Sequence, residues 1–174
     1  MDRTIFETLD CSRLGPEFYI AQVTLEQLND VFALYQTNPL YFQHCPPKPS
    51  QESVKEDMTN YPTSSSPDKK YYLGCWKGKE LVAVMDVVLD YPTDETAWIG
   101  LFMIHGHYQQ TGFGTQVFHL LEDCLARAHY HELQLAYVKT YPEAAHFWTK
   151  VGFQPTGREA QQGPLCLVIA RKTI

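Results

Sequence analysis

Ile104-His105-Gly106-His107-Tyr108-Gln109-Gln110-Thr111-Gly112-Phe113-Gly114-Thr115 is the stretch on which the fold of this chain turns. Before it runs Ala97–Ile104, almost wholly apolar, which reads as a strand covered on both faces. After it, Val117, Leu120, Leu121, Cys124, Leu125 and Ala128 recur at helical spacing, with Glu122, Asp123 and Arg127 off the stripe. A buried strand therefore ends, a polar turn with three glycines follows, and an amphipathic helix runs from about Gly112 to His129. Gly112 and Gly114 remove Cβ atoms where a backbone could approach a ligand closely. The first-turn amides point into that space with the positive end of the helix dipole behind them, which suits an anion such as a pyrophosphate. The competing reading is a helix cap or a close packing contact. A P-loop is excluded because no Gly-Lys-Ser/Thr is present, and Val117 stands where a dinucleotide fingerprint needs its third glycine.

Working outward toward the N-terminus, Glu17–Val23 is rich in strand formers. Thr24 and Gln27 form a capping box ahead of Leu25, Leu28, Phe32 and Tyr35, which predicts a helix to Gln36. Asn38-Pro39 is read as its end, and Asn38–Pro49 as an aromatic, proline-rich loop. Ser50 starts a second helix with Val54, Met58 and Tyr61 as its buried stripe, and residues 62–68 form an exposed loop. Tyr71–Trp76 and Leu81–Tyr91 read as a hairpin about Lys77-Gly78-Lys79, with Ala97–Ile104 the next strand. Toward the C-terminus, Leu133–Val138 is a buried strand and Pro142–Val151 a helix with proline in its first turn and Gly152 after its end. Cys166–Arg171 supplies a last strand. This order specifies a single α+β domain over residues 1–174.

Composition narrows the partners. The chain has 174 residues, enough to bury roughly 70% of its unfolded surface without a staple. Its 14 Lys and Arg against 20 Asp and Glu give a net charge of −6 and no basic stripe, which disfavours nucleic acid. Apolar stretches fall short of the ~20 residues a bilayer-spanning helix needs, so no membrane partner is expected. Met1-Asp2-Arg3-Thr4 does not read as a secretory signal. Five scattered cysteines without a C-x-x-C pair fit free thiols in a reducing cytoplasm. His105 with His107, and His129 with His131, lack a third ligand at regular spacing, so no metal is expected.

Two motifs in these positions resemble the GNAT family of acyl-CoA-dependent N-acetyltransferases over nearly the whole chain. Gln109-Gln110-Thr111-Gly112-Phe113-Gly114 resembles the family's Gln/Arg-x-x-Gly-x-Gly/Ala, between a fourth strand and the following helix. Ala144–Phe153, with Phe147-Trp148, Lys150 and Gly152-Phe153, resembles its second signature. The resemblance implies a mostly antiparallel sheet of six to seven strands, about four flanking helices, and fourth and fifth strands that splay apart. It implies acetyl-CoA as co-substrate, with the amides of Gln110, Thr111, Gly112, Phe113, Gly114 and Thr115 around the pyrophosphate and Gln109 also among the cofactor-binding residues. Met103 and Ile104 would pair with the pantetheine arm, and Phe147 and Trp148 would pack near the arm or the thioester.

The chain departs from that pattern in places that bear on catalysis. Trp148 stands where the family commonly has a tyrosine acid, and an indole N–H cannot deliver a proton usefully. The run Ala97–Ile104 has no ionisable side chain, where many members carry a base. Tyr141 remains as a candidate acid and Glu95 as a candidate base through water. His44 reads either as a base on the acceptor side or as a plain loop histidine. The expected reaction is acetyl transfer by direct attack of a primary amine, on a small molecule or a peptide, in a ternary complex. The acceptor would sit under Asn38–Pro49, beside an Arg158–Gly163 loop. The alternative is a CoA-binding protein of this fold that transfers nothing. A homodimer through an exposed strand edge at Cys166–Arg171 is a further expectation.

Overall fold

The structure, a computed structural model, describes residues 5–7 and 9–174, so the opening Met1–Thr4 read above lies outside the described residues. Seven strands form one sheet: β1 (Phe18–Gln22), β2 (Lys70–Lys77), β3 (Glu80–Leu89), β4 (Thr96–Ile104), β5 (Glu132–Val138), β6 (Gln154–Gln162) and β7 (Leu165–Thr173). Their spatial order is β1-β2-β3-β4-β5-β7-β6. Every neighbouring pair is antiparallel except β4 and β5, which run parallel, as a crossover through a helix requires. The helices are α1 (Leu28–Gln36), α2 (Pro39–His44), α3 (Gln51–Thr59), α4 (Phe113–Arg127) and α5 (Pro142–Lys150). This is the α+β architecture with a mostly antiparallel sheet that the two motifs imply.

Alternation along the central strands divides the core into two layers. Tyr71, Leu73 and Cys75 of β2, with Ala83, Met85 and Val87 of β3, face α4 and α5. Tyr72 and Trp76 of β2, with Val84 of β3, face α1 and α3, where Val31, Leu34, Tyr35, Val54 and Met58 cover them. The α4 stripe is buried from Val117 to Leu125, while Ala128 lies just past the helix end and is half-buried; Phe118 is fully enclosed among the rings of Phe102, Trp148 and Phe153. The capping box at Thr24 is present, its amide donating to Gln27 Oε1 at 3.0 Å.

Several expectations are corrected. Asn38–Pro49 is not all loop: α2 begins at Pro39, because proline is as well suited to a first helical position as to a stop. With it there are five α-helices among the described residues. Tyr61 lies beyond the end of α3 and is exposed, so only Val54 and Met58 of that stripe are buried. β4 is not covered on both faces, since Gly100 is exposed and Leu101 and Phe102 are half-buried. Residues 158–163 are mostly strand, in β6, and Cys166–Arg171 is no edge because β7 lies between β5 and β6. The edges are β1 and β6, and β6 is exposed along nearly its whole length.

Truncating Phe118→Ala should cost ~3–5 kcal/mol, since the ring is buried on all sides and its loss leaves a cavity in the core. Chemical denaturation of the variant against the native protein measures this directly.

Candidate functional site

The parallel ladder of β4 and β5 begins at Thr96 opposite Glu132 and stops at Ile99 opposite Leu135. β5 continues against β7 as far as Val138 opposite Leu167, while β4 continues against β3 to Ile104 opposite Ala83. Beyond Ile99 the two strands have therefore parted. Register alternation shows which groups face the parting. His105 donates its amide to Val82 at 2.8 Å, so His105, Met103 and Leu101 are the residues bonded to β3. Phe102 and Ile104 then turn their amides and carbonyls the other way, toward the gap.

A cavity of about 1030 Å³ opens there, walled by β4 from Trp98 to Ile104, by β5 from Leu135 to Val138, and by α2 and α5. One end is the turn before α4. Gln110 (φ 59°) and Gly112 (φ 83°) are both left-handed, which rotates successive amides toward one side of the chain. A Cβ at Gly112 would meet nothing within 4 Å, so the space before it is open. Gln110, Gly112, Gly114 and Thr115 line the cavity beside the first-turn amides of α4, of which that of Phe113 donates to Thr111 Oγ1 at 3.4 Å. The Thr111 hydroxyl instead donates to the Tyr108 carbonyl at 2.6 Å and takes no part in the lining. The Phe113 side chain is buried against Phe18 and Tyr108, leaving only its backbone near the turn.

Gln109 has a different task from its neighbours. Its Nε2 donates to Asn38 Oδ1 at 2.6 Å and to the Ile104 carbonyl at 2.9 Å. Asn38 Nδ2 donates to the same carbonyl at 3.1 Å and to Leu34 at 3.2 Å, and the Gly106 amide donates to Thr37 Oγ1 at 2.9 Å. These bonds strap the end of α1 to the end of β4 and hold the mouth of the gap open. They occupy the Ile104 carbonyl, so only its amide remains turned toward the cavity.

The opposite end is aromatic and acidic. Tyr141 lines it, stacked on His44 at 4.3 Å between ring centres and 6.3 Å from Tyr41. Burial, then the charge of Glu143, pushes the Tyr141 hydroxyl above its ordinary value, so at neutral pH it carries its proton. Asp57 of α3 also lines this end. Tyr35 donates to Asp57 Oδ2 at 2.9 Å, which leaves Tyr72 to donate to Tyr35 across 2.8 Å. Desolvation raises the Asp57 carboxyl, against the hydrogen bond from Tyr35 and the charge of Lys70. Sequence reading missed Asp57, whose i+3 neighbour Asn60 and exposed helix face look like ordinary solvated surface.

Phe147 and Trp148 both line the cavity. Trp148 is nonetheless largely a core residue, 9% exposed and ringed by Phe102, Phe118 and Phe153. Glu95 is not brought to the cavity. It sits in the turn before β4, left-handed at φ 61°, with its exposed carboxylate 3.8 Å from His131 Nε2. Nine residues of strand separate it from Ile104, roughly 30 Å. No group of three or more metal-ligating side chains occurs among the described residues. No helix among them is long and apolar enough to cross a membrane.

A profile of the acetyltransferase (GNAT) family matches residues 31–153 of the chain. No curated protein matches it. Among solved structures, an acetyltransferase from Thermus thermophilus is similar at 23% identity, covering 90% of this chain and 97% of its own, with a TM-score of 0.74. The PaiA N-acetyltransferase from Thermoplasma acidophilum in complex with coenzyme A is similar at 14% identity, 90% and 99% coverage and a TM-score of 0.67. The ribosomal-protein-S18-alanine N-acetyltransferase from Escherichia coli is similar at 14% identity, 90% and 94% coverage and a TM-score of 0.66.

Asn38→Ala removes the donor shared by Leu34 and Ile104 inside a buried strap, and should lower unfolding free energy by ~1–3 kcal/mol. Urea denaturation of the variant gives the value.

Proposed function

This chain belongs to the acetyltransferase (GNAT) family, and from that premise we propose that it binds acetyl-CoA in the parted strands and transfers the acetyl group to a primary amine. The observation that carries the proposal is one cavity with an amide-lined turn at one end and two unzipped strands along its length. The amides of Gln110 to Thr115 hold the pyrophosphate at the start of α4, where the dipole and the left-handed turn both favour anions. The Phe102 backbone and the Ile104 amide pair with the amide-bearing arm, which replaces the strand that β4 lacks beyond Ile99. Phe147 and Trp148 form the apolar wall beside it. A cavity of this size accommodates such a ligand, since small-molecule sites span roughly 300–1,000 Å³.

Bound acetyl-CoA supplies an activated acyl group on a thiol leaving group. The protein positions the amine against it, excludes water, and provides backbone donors for the developing oxyanion. The amine enters at the aromatic end, between α2, Asp57 and Tyr141. The C–N bond forms as the C–S bond breaks, and the departing thiolate needs little help because thiols ionise near ~8.5. Tyr141, protonated and facing the cavity, is the group placed to return a proton to it. Glu95, at the far end of β4, has no part. The acidic and aromatic lining suits a cationic amine, on a small molecule or on a peptide N-terminus.

A second reading, CoA binding without transfer, draws on Trp148 in the place of the family's tyrosine and on the absence of an ionisable side chain in β4. Thiol release measured with spermidine, tyramine, lysine and an alanine-terminated peptide separates the two, alongside CoA titration by calorimetry. Turnover of any of these amines supports transfer; CoA binding without turnover of any supports the second reading; neither binding nor turnover overturns both. Gly112→Ala should weaken CoA by about tenfold or more, because the methyl enters open space before the turn and the left-handed backbone is strained. The same calorimetry measures it.

A further inference from the structure

β3 meets β4 with Asp86 opposite Leu101 and Val87 opposite Ile99, so Gly100 is the extra residue of a β-bulge. Gly100 is exposed to the cavity and lines it, while Asp86 stands directly behind it on β3. A Cβ on Gly100 would lie 2.6 Å from Asp86 Oδ2 and 3.1 Å from the carboxyl carbon. The carboxylate thus fills the place of the missing side chain. Its two oxygens differ. Oδ1 is wholly buried and lies 2.7 Å from Lys70 Nζ. Oδ2 is the oxygen that adjoins Gly100, and the side chain as a whole keeps 14% exposure. Lys70 is itself 7% exposed, and its other bond goes to the Asp57 backbone carbonyl at 2.8 Å, so among the described residues Asp86 is the carboxylate it pairs with.

We infer that Asp86 is the proton acceptor for the attacking amine, reaching the cavity through the notch that Gly100 leaves in β4. The inference rests on the transfer reading above and supplies what β4 lacks, a base, from the neighbouring strand. The protonated amine gives one proton to the Asp86 carboxylate, directly or through one water. The neutral amine attacks the thioester carbonyl, the C–N bond forms and the C–S bond breaks; the Tyr141 hydroxyl gives its proton to the CoA thiolate and takes up the second amine proton in its place. Asp86 then loses its proton to solvent. Burial pushes the Asp86 carboxyl up to about 6 against the pull of Lys70, and Asp57 adds to the rise. The charged and titratable groups that face it are Lys70 and Tyr72 of β2 and Asp57 of α3, with Tyr35 of α1 behind them. At neutral pH the group is ionised yet close enough to neutrality to accept a proton, the condition that suits a general base.

The test is steady-state kinetics between about pH 5 and 9 with the fastest amine of the panel above, on the native protein, Asp86→Asn and Gly100→Ala. CoA affinity is measured by calorimetry in each. The native kcat should rise through pH about 6 to a plateau. Asp86→Asn should lose roughly 10²-fold in kcat and the acidic limb with it, while CoA affinity stays unchanged. Gly100→Ala should lower kcat because its methyl displaces Oδ2. Should Asp86→Asn fail to fold for want of a partner to Lys70, the double variant Asp86→Asn, Lys70→Met removes both charges and should show the same loss. Native kcat with an unshifted acidic limb in Asp86→Asn or in the double variant would overturn the assignment and leave acetyl transfer standing. CoA binding by the native protein with no turnover of any amine overturns the assignment and the transfer reading together.

Discussion

The parting of β4 from β5 after the Ile99–Leu135 pair is the constraint on which the rest of this molecule depends. A parallel pair inside a sheet normally satisfies every backbone group between its strands, and leaving Phe102 and Ile104 turned toward a gap is costly unless something else satisfies them. The bulge at Gly100 bends β4 where the ladder stops. Three side chains then keep the strands from closing again. Asn38, Gln109 and Thr37 bind the end of β4 to the end of α1, and the first two occupy the Ile104 carbonyl that a returning strand could have used. The cavity is a consequence of this backbone geometry before it is a consequence of side chains.

That geometry also gives the cavity two unlike ends. The turn before α4 offers amides and a helix dipole, with left-handed Gln110 and Gly112 aiming them. The far end has Tyr41, Tyr141 and Asp57 in its lining, with His44 stacked on Tyr141. A ligand with phosphates at one extremity and an amine-receptive centre at the other is matched along the whole length. The bulged glycine joins this end to a buried charge layer, because the same missing Cβ that bends the strand makes room for Asp86 and Lys70.

Much of this was legible in the sequence, and what was not has physical causes. α4 could be read closely because its stripe repeats without interruption and glycines mark its start. The central strands could be read because a two-faced core demands continuous apolar runs. α2 was hidden by Pro39, which serves equally to stop one helix and to begin another. β6 was hidden because an exposed edge strand has no apolar face to alternate, and Pro155 and Gly157 look like a loop. β7 was mistaken for an edge since strand order is not written in strand sequence. Asp86 looks like a single polar interruption of an apolar strand. Its meaning comes only from Gly100, fourteen positions on and one strand over, and no local pattern connects the two. Glu95 drew notice for the opposite reason, being acidic and near in sequence, although β4 carries it away from the cavity.

The measurement closest to the central claim is amide hydrogen exchange at Phe102 and Ile104, followed by NMR with and without CoA. If the parted strands are the seat of the pantetheine arm, exchange at both amides should slow markedly on adding CoA, while edge amides of β6 keep their rates. Exchange at Phe102 and Ile104 that is the same with saturating CoA as without it would contradict the account.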